Sequence, residues 1–366
     1  MKIEFIEVCE DVTKHATKIP QSEYLKEGKF PIFDQGKEYI GGYTNKTENV
    51  AVNNPYIVFG DHTRVLKYVD TKCFIGADGV KLLKVISNDF VAKYIYYSLK
   101  SKPIDSQGYA RHYKLLKEFT FIKRTKEEQQ KIIETLDKIN LAIDIKKKEI
   151  DSLNELIKSQ FIEMFGDPVD NDKQWNVKTL NEITDVRDGT HDSPKYVDKG
   201  YPFVTSKNLI NGTIDFSTCQ LITEKDYLHF NDRSCVDDGD ILMPMIGTIG
   251  GAIIVNKDRD FAIKNVALVK FTKNNNLVNR QFILNILNSD SMNDYFSNTK
   301  KGGTQKFISL GEIRKIPVIL PPIDLQNKFA SFVEQIDKSK FIVQKQINDL
   351  QELLDSKMQE YFGEEE

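Results

Sequence analysis

Scarcity sets the first limits on this 366-residue chain, which has one Trp, four Cys and five His. The cysteines, Cys9, Cys73, Cys219 and Cys235, are scattered with no C-x-x-C pair, so neither a disulfide framework nor a redox motif is expected. The histidines are isolated, which excludes zinc spacing and leaves no metal in prospect. No apolar run approaches the roughly eighteen residues of a membrane span. The opening MKIEFIEVCEDV is acidic where a secretory leader is basic and then apolar. A cytoplasmic protein with no membrane contact is the expectation. What remains is 40% hydrophobic and 29% charged, the composition of a folded chain long enough for two or three domains.

The chain repeats itself. Shifted by 197 residues, 112–166 aligns with 309–363 without a gap and with 14 of 55 positions identical. The matches include Gln129 with Gln326, Leu153 with Leu350, Glu155 with Glu352, Leu156 with Leu353, and Phe165-Gly166 with Phe362-Gly363. A period near 200 is too long for a small stacking unit, so what is duplicated is a domain followed by a connector.

In each connector, apolar residues recur at alternating spacings of four and three, the pattern of a helix with one buried seam. The first seam runs Ile132, Leu136, Ile139, Ile143, Lys146, Ile150, Leu153, Ile157, Gln160 and Met164. The second runs Phe329, Val333, Ile336, Lys340, Val343, Ile347, Leu350, Leu354, Lys357 and Tyr361. Thr125-x-x-Glu128 reads as a capping box, Pro321-Pro322 ends the strand before the second helix, and Gly166 and Gly363 stand at the far ends. Each helix then spans about 40 residues, or about 60 Å. That length overhangs a domain of about 120 residues, so the two seams are expected to bury each other as an antiparallel coiled coil. Leu136, Ile143, Ile150, Leu153, Ile157, Val333, Ile336, Ile347, Leu350 and Leu354 would form the shared or partner-facing interface. Lys146, Lys340 and Lys357 set the register, mark where a third partner docks, or sit at the seam's wet edge.

The organisation is therefore 1–125, a mixed domain; 126–165, the first long helix; 166–322, a second mixed domain; and 323–366, the second long helix. The fold class is α+β with a pseudo-twofold internal repeat. Runs such as Tyr56–Phe59, Ile241–Met243 and Ala252–Val255 read as strands, and 89–100 and 278–288 as one helix per domain. The net charge of -3 conceals a division: 1–125 holds 20 Lys and Arg against 15 Asp and Glu, whereas 323–366 holds 5 against 10. Both mixed domains, 1–125 and 166–322, have enough basic residues to build local phosphate-binding faces.

Catalytic motifs are thin. Asn53-Asn54-Pro55-Tyr56 lacks the second residue of the N-P-P-Y motif of amino-methyltransferases and has no glycine-rich turn before it, so it reads as a turn. Gly247–Gly251 lacks the Lys-Ser/Thr of a phosphate loop and reads as a hairpin connection, and Asp188-Gly189-Thr190-His191-Asp192 reads as a loop rather than a metal cluster. No nucleophile, base and orienter stand together, and no cofactor site is visible. What accumulates is basic, amide and aromatic loop chemistry suited to nucleic acid. Arg111, His112 and Lys114 in the first half, and Lys300, Lys301, Gln305 and Lys306 in the second, precede the strand leading into each long helix. Arg187, His191, Lys195, Lys207 and Asn208 form another group, and Arg64 and Lys81 complete the DNA-binding candidates.

These residues resemble the specificity subunit of type I restriction-modification systems. The motifs are D-G-T-H-D-S-P-K-Y at 188–196, T-S-K-N-L at 205–209, N-G-T-I-D at 211–215, I-G-T-I-G at 246–250, G-G-T-Q-K-F-I at 302–308 and I-P-V-I-L-P-P-I-D-L-Q at 316–326. The first half departs from the pattern at Gly108–Arg111 and at Arg124–Gln129. The resemblance implies two target-recognition domains, each reading half of a split target on double-stranded DNA. It implies helices that dock two methyltransferase subunits, a restriction subunit in some assemblies, and no catalysis by the chain itself. S-adenosylmethionine, ATP and magnesium would belong to the partners. The competing expectation is a coiled-coil scaffold that binds proteins only, which leaves the two basic, amide-rich domains unexplained.

Overall fold

The computed structural model describes residues 1–48, 50–51, 55–102, 104–105, 108, 110–246, 251–272, 276–298 and 307–363. Its main helices are α1 (Ala92–Lys100), α2 (Lys126–Phe165), α3 (Arg280–Leu287) and α4 (Ile323–Phe362). The two forty-residue helices begin and end where local chemistry dictates. Thr125 N–H donates to Glu128 Oε2 at 2.8 Å and Glu128 N–H to Thr125 Oγ1 at 3.2 Å, a reciprocal cap that satisfies donors the first helical turn leaves free. At the other end of α2, Gly166 turns to φ +75°, and a Cβ there would fall 1.9 Å from the Asp172 carboxylate. Only glycine ends the helix in this way without strain. All twenty seam positions are buried or half-buried. Lys340 and Lys357 lie half-buried at the seam's edge and pair along their own helix with Asp337 and Glu360 at 2.9 and 2.6 Å.

The chain divides into two units, Met1–Lys148 with Gln344–Glu366, and Glu149–Val343. Each takes part of both long helices, so the boundaries cut through α2 and α4 rather than falling at their ends. In the first unit, Ile132, Leu136, Ile139 and Ile143 of α2 share a core with Leu354, Met358 and Phe362 of α4, and Arg124 donates to the Tyr361 carbonyl at 3.1 Å. The start of α2 thus meets the end of α4. In the second unit, Phe161 and Phe165 near the end of α2 contact Phe329 near the start of α4, with ring centroids 5.4 and 5.5 Å apart. The pair is antiparallel.

Both units build their domain on one frame. The shared strands of the first are β1 (Cys9–Asp11), β2 (Phe30–Phe33), β3 (Gly42–Thr44), β4 (Tyr56–Gly60), β5 (Leu66–Val69), β6 (Phe74–Gly76) and β7 (Val80–Val85). Those of the second are β8 (Asp185–Asp188), β9 (Tyr201–Thr205), β10 (Gln220–Ile222), β11 (Ile241–Pro244), β12 (Ile253–Ile254), β13 (Ala262–Lys264) and β14 (Val266–Lys270). An antiparallel sheet is ordered β1-β7-β4-β5 in one unit and β8-β14-β11-β12 in the other. A second sheet places β2 parallel to β6 and antiparallel to β3, just as β9 lies parallel to β13 and antiparallel to β10. Strand alternation divides the central strands between two cores. Ile57 and Phe59 of β4 face the helices, while Tyr56 and Val58 face the second sheet. Ile241 and Met243 face the helices in the second unit, with Leu242 on the opposite side. Among the described residues no helix is long and apolar enough to cross a membrane. All four cysteines are free thiols.

The matched glutamines tie each long helix to its domain. Gln129 is fully buried, accepts from Val91 N–H at 2.8 Å, and donates to the carbonyls of Asp89 and Arg124 at 2.7 and 2.9 Å. Gln326 is equally buried, accepts from Asn279 N–H at 2.9 Å, and donates to Leu277 and Pro321 at 3.0 and 2.8 Å. In both units one amide satisfies backbone groups of the segment entering the short helix and of the residues entering the long one. Truncating either side chain strands those groups in the interior. Gln129→Ala or Gln326→Ala is expected to cost about 2–4 kcal/mol in urea unfolding, whereas exposed Gln130→Ala stays within about 0.5 kcal/mol.

Candidate nucleic-acid interface

In the second unit the loop after β8 lies on β13 through its backbone. Gly189 N–H donates to Val266 O at 2.9 Å, Thr190 N–H to Ile263 O at 3.1 Å, and Asn265 N–H to Thr190 O at 3.2 Å. The approach is so close that a Cβ on Gly189 would fall 2.3 Å from the Ile263 carbonyl oxygen. Any other residue would lift the loop off the sheet. Asn265 takes the left-handed conformation at φ +52°, and its side-chain carbonyl is hydrogen-bonded to His191 Nδ1 at 2.6 Å. Lys264 donates to Ser193 Oγ at 2.7 Å. This rigid mount carries His191, Lys195 and Tyr196, all exposed. Beside it the 3-10 turn Ser206–Asn208 carries exposed Lys207. The loop, the turn and strand β10 enclose a concavity of about 950 Å³, lined by Tyr196, Phe203, Lys207, Gln220 and Lys264 among others. It joins aromatic, amide and ammonium groups on one face, the chemistry that nucleic acid recognises.

Several expected contacts are consumed inside the fold. Asn208 is buried and caps its own turn, accepting from Thr205 N–H and Oγ1 at 2.9 and 2.8 Å and donating to Thr218 Oγ1 at 3.1 Å. The Arg187 guanidinium donates to Asp185 at 2.9 and 2.7 Å and to the Arg233 carbonyl at 3.0 Å. Asp188 is buried and takes hydrogen bonds from Arg233 and from His191 Nε2, so the Asp-Gly-Thr-His-Asp stretch is a hydrogen-bonded loop. Among the described residues no group of His, Cys, Asp and Glu could hold a metal ion.

In the first unit His112 is fully buried, with its backbone N–H and its Nδ1 both bonded to the Asp61 carbonyl at 2.9 Å. It clasps the 60–64 loop and cannot reach a phosphate without local unfolding. Arg64 donates to the Ile104 carbonyl at 3.0 Å. Lys81 pairs with Asp11 at 2.8 Å and lies 4.8 Å from the Tyr113 ring centroid. Burial alone would raise the Asp11 carboxyl, and the hydrogen bonds from Lys81 and Thr13 outweigh it, holding the group below its usual range. Arg111 and Lys114 are exposed. Lys300, Lys301, Gln305 and Lys306, with Gly247–Gly250 and Asn53-Asn54, lie outside the described residues. Gln220, Lys264 and Asn265 were not apparent as site residues from sequence, and Tyr196 entered only as the end of the 188–196 motif. The one available signal was Lys264-Asn265 between two apolar runs, a basic residue followed by a residue type that tolerates left-handed turns.

The sequence profile described as the type I restriction modification DNA specificity domain matches residues 2–155 and 172–352, once over each half of the repeat. The chain belongs to the type I restriction-modification specificity family. Its relatives include the type I restriction enzyme MjaIX specificity subunit of Methanocaldococcus jannaschii, 26% identical and covering 75% of this chain and 69% of the relative. The MjaVIII specificity subunit of the same organism is 24% identical over 85% of this chain and 80% of its own. Among solved structures, the type I restriction-modification S subunit from M. genitalium aligns over 100% of this chain and 96% of its own, with a TM-score of 0.55 and 17% identity. A chain from a study of complex assembly and conformational transition in the type I system aligns over 97% of each, with a TM-score of 0.52 and 13% identity. At these identities the structural likeness speaks for the fold.

The placement of these side chains separates those engaged inside the fold from those exposed on the surface. His112→Ala is expected to lower unfolding stability by about 2–4 kcal/mol, through a cavity and the loss of the ring's hydrogen bond to the Asp61 carbonyl, which the backbone N–H of residue 112 still partners. If Lys207 and Lys195 face phosphate, Lys207→Ala and Lys195→Ala are expected to leave stability unchanged, to weaken binding on every duplex alike, and each to reduce the slope of log affinity against log salt by about 1. Urea titrations and binding measured at several salt concentrations distinguish the two classes.

Proposed function

We propose that this chain is the sequence-reading subunit of a type I restriction-modification complex, in which the domains of the two units each read one half of a split duplex target. The observation that carries the reading is one frame built twice with unlike loops. Strand order, parallel and antiparallel pairing and the buried glutamine recur, while the exposed residues around them differ. A duplicated scaffold with divergent surfaces suits two different half-sites better than one repeated sequence. The chain contributes recognition, and methyl transfer and any cleavage belong to partner subunits, which would hold S-adenosylmethionine, ATP and magnesium.

Two methyltransferase subunits fit the repeat. Exposed apolar residues occur at matched positions of the long helices: Ile145 and Leu353 in the first unit, Leu156 and Ile342 in the second. Ile145 matches Ile342 and Leu156 matches Leu353 at the 197-residue shift, so each unit offers one of each. Exposed Ile and Leu at repeated places on the long helices are what a partner interface requires.

Replacing residues 166–322 with the corresponding segment of a relative is expected to change one half of the methylated sequence and leave the other intact, as read by sequencing modified DNA. A change in both halves, or in neither, overturns the division of labour. Ile145→Asp with Leu353→Asp should reduce the bound methyltransferase from two copies to one in native mass spectrometry, and Leu156→Asp with Ile342→Asp should do the same. Retention of two copies in both double variants places the docking surface elsewhere.

A further inference from the structure

The strand registers of the two units allow their recognition faces to be compared residue by residue. Ile32 of β2 pairs with Gly42 and Phe74, and Phe203 of β9 pairs with Gln220 and Ala262. Gly42 therefore matches Gln220, and two residues along the parallel strand Gly76 matches Lys264. Leu25 bridges to Tyr43 as Val197 bridges to Leu221, so the preceding residues, Tyr24 and Tyr196, also match. Three equivalent positions thus read Tyr, Gly, Gly in one unit and Tyr, Gln, Lys in the other.

The consequence is steric. In the first unit a Cβ on Gly42 would lie 2.8 Å from Tyr24 Cβ, and one on Gly76 would lie 2.7 Å from the Tyr24 hydroxyl. The Tyr24 side chain lies across both glycines and closes the face. Its enclosure, with Asp34 and Asp78 nearby, pushes the hydroxyl up to about 12. In the second unit side chains occupy both places, Tyr196 stands 50% exposed, and the concavity of about 950 Å³ opens between them.

Gln220 is exposed on β10 and makes no side-chain hydrogen bond among the described residues, and Lys264 is half-buried and held by Ser193. A neutral amide adds nothing to phosphate attraction. Its paired donor and acceptor match the N6 and N7 edge of adenine, while a fixed ammonium matches the O6 and N7 acceptors of guanine. We propose that Gln220 and Lys264 are specificity determinants that read base edges in the half-site bound by the second unit, and that the first unit, closed by Tyr24 at the same three positions, reads its half-site through other residues. The proposal rests on the DNA-reading function above.

The test uses the full chain with its methyltransferase partner. Methylated sites are sequenced and duplex affinities measured for wild type, Gln220→Ala, Gln220→Glu and Lys264→Ala, with folding checked by circular dichroism. Gln220→Ala should relax one base position in the half-site assigned to the second unit by the domain exchange, with about a 5- to 140-fold loss on the wild-type target. The near-isosteric Gln220→Glu removes the donor and should shift that position toward cytosine, whose N4 amine a carboxylate accepts. Lys264→Ala should relax a different position in the same half-site. An unchanged methylated sequence in the folded variants, or a uniform loss of affinity on all duplexes, overturns the assignment and leaves the DNA-reading function standing. Wild-type complex that methylates without sequence preference overturns that function itself.

Discussion

A forty-residue amphipathic helix must bury a continuous apolar stripe about 60 Å long, and the rest of this structure follows from how that stripe is covered. The two seams share the task with the domains. Near the start of α2 and the end of α4 the stripe joins the core of the first unit, and near the end of α2 and the start of α4 it joins the core of the second. Phe161, Phe165, Phe282 and Phe329 show the scale of the packing, with ring centroids 4.8 to 5.6 Å apart across α2, α3 and α4. A helix built into a domain core is a poor hinge, so each domain is rigidly joined to the helical segments within its own unit.

On that support the two domains separate what must be constant from what is free to vary. The central strands β4 and β14 are buried along their whole length, and the fully buried glutamines close the polar accounts where each long helix begins. The exposed loops carry no such obligation. Gly189 shows how the divergence is contained: its bare backbone seats a loop directly on β13, after which His191 and Lys195 can vary without disturbing the sheet. Surface chemistry changes by substitution on a fixed mount.

Much of this was legible beforehand, for a reason specific to helices. The i, i+3, i+4 recurrence is local, so the seams from Ile132 to Met164 and from Phe329 to Tyr361, the Thr125–Glu128 cap and the terminal Gly166 could be read off the chain, and the 197-residue repeat tied the two halves together. The recognition face was legible only in part. His112, Asn208 and Arg187 have the right chemistry for DNA, but each is bound to groups of the fold itself, and a sequence does not show which polar side chains the backbone has already engaged.

Sequence alone therefore determined the duplicated architecture, the two long helices with their buried faces, and the family, because each is written in periodicity, spacing or motif. Tertiary structure alone decided which residues line the proposed recognition face. Tyr196, Gln220 and Lys264 are separated by 24 and 44 positions along the chain, and only the pairing of β10, β9 and β13 gathers them around one concavity. The same pairing shows that Tyr24 closes the matching face over Gly42 and Gly76, a difference set by contact between strands distant in sequence.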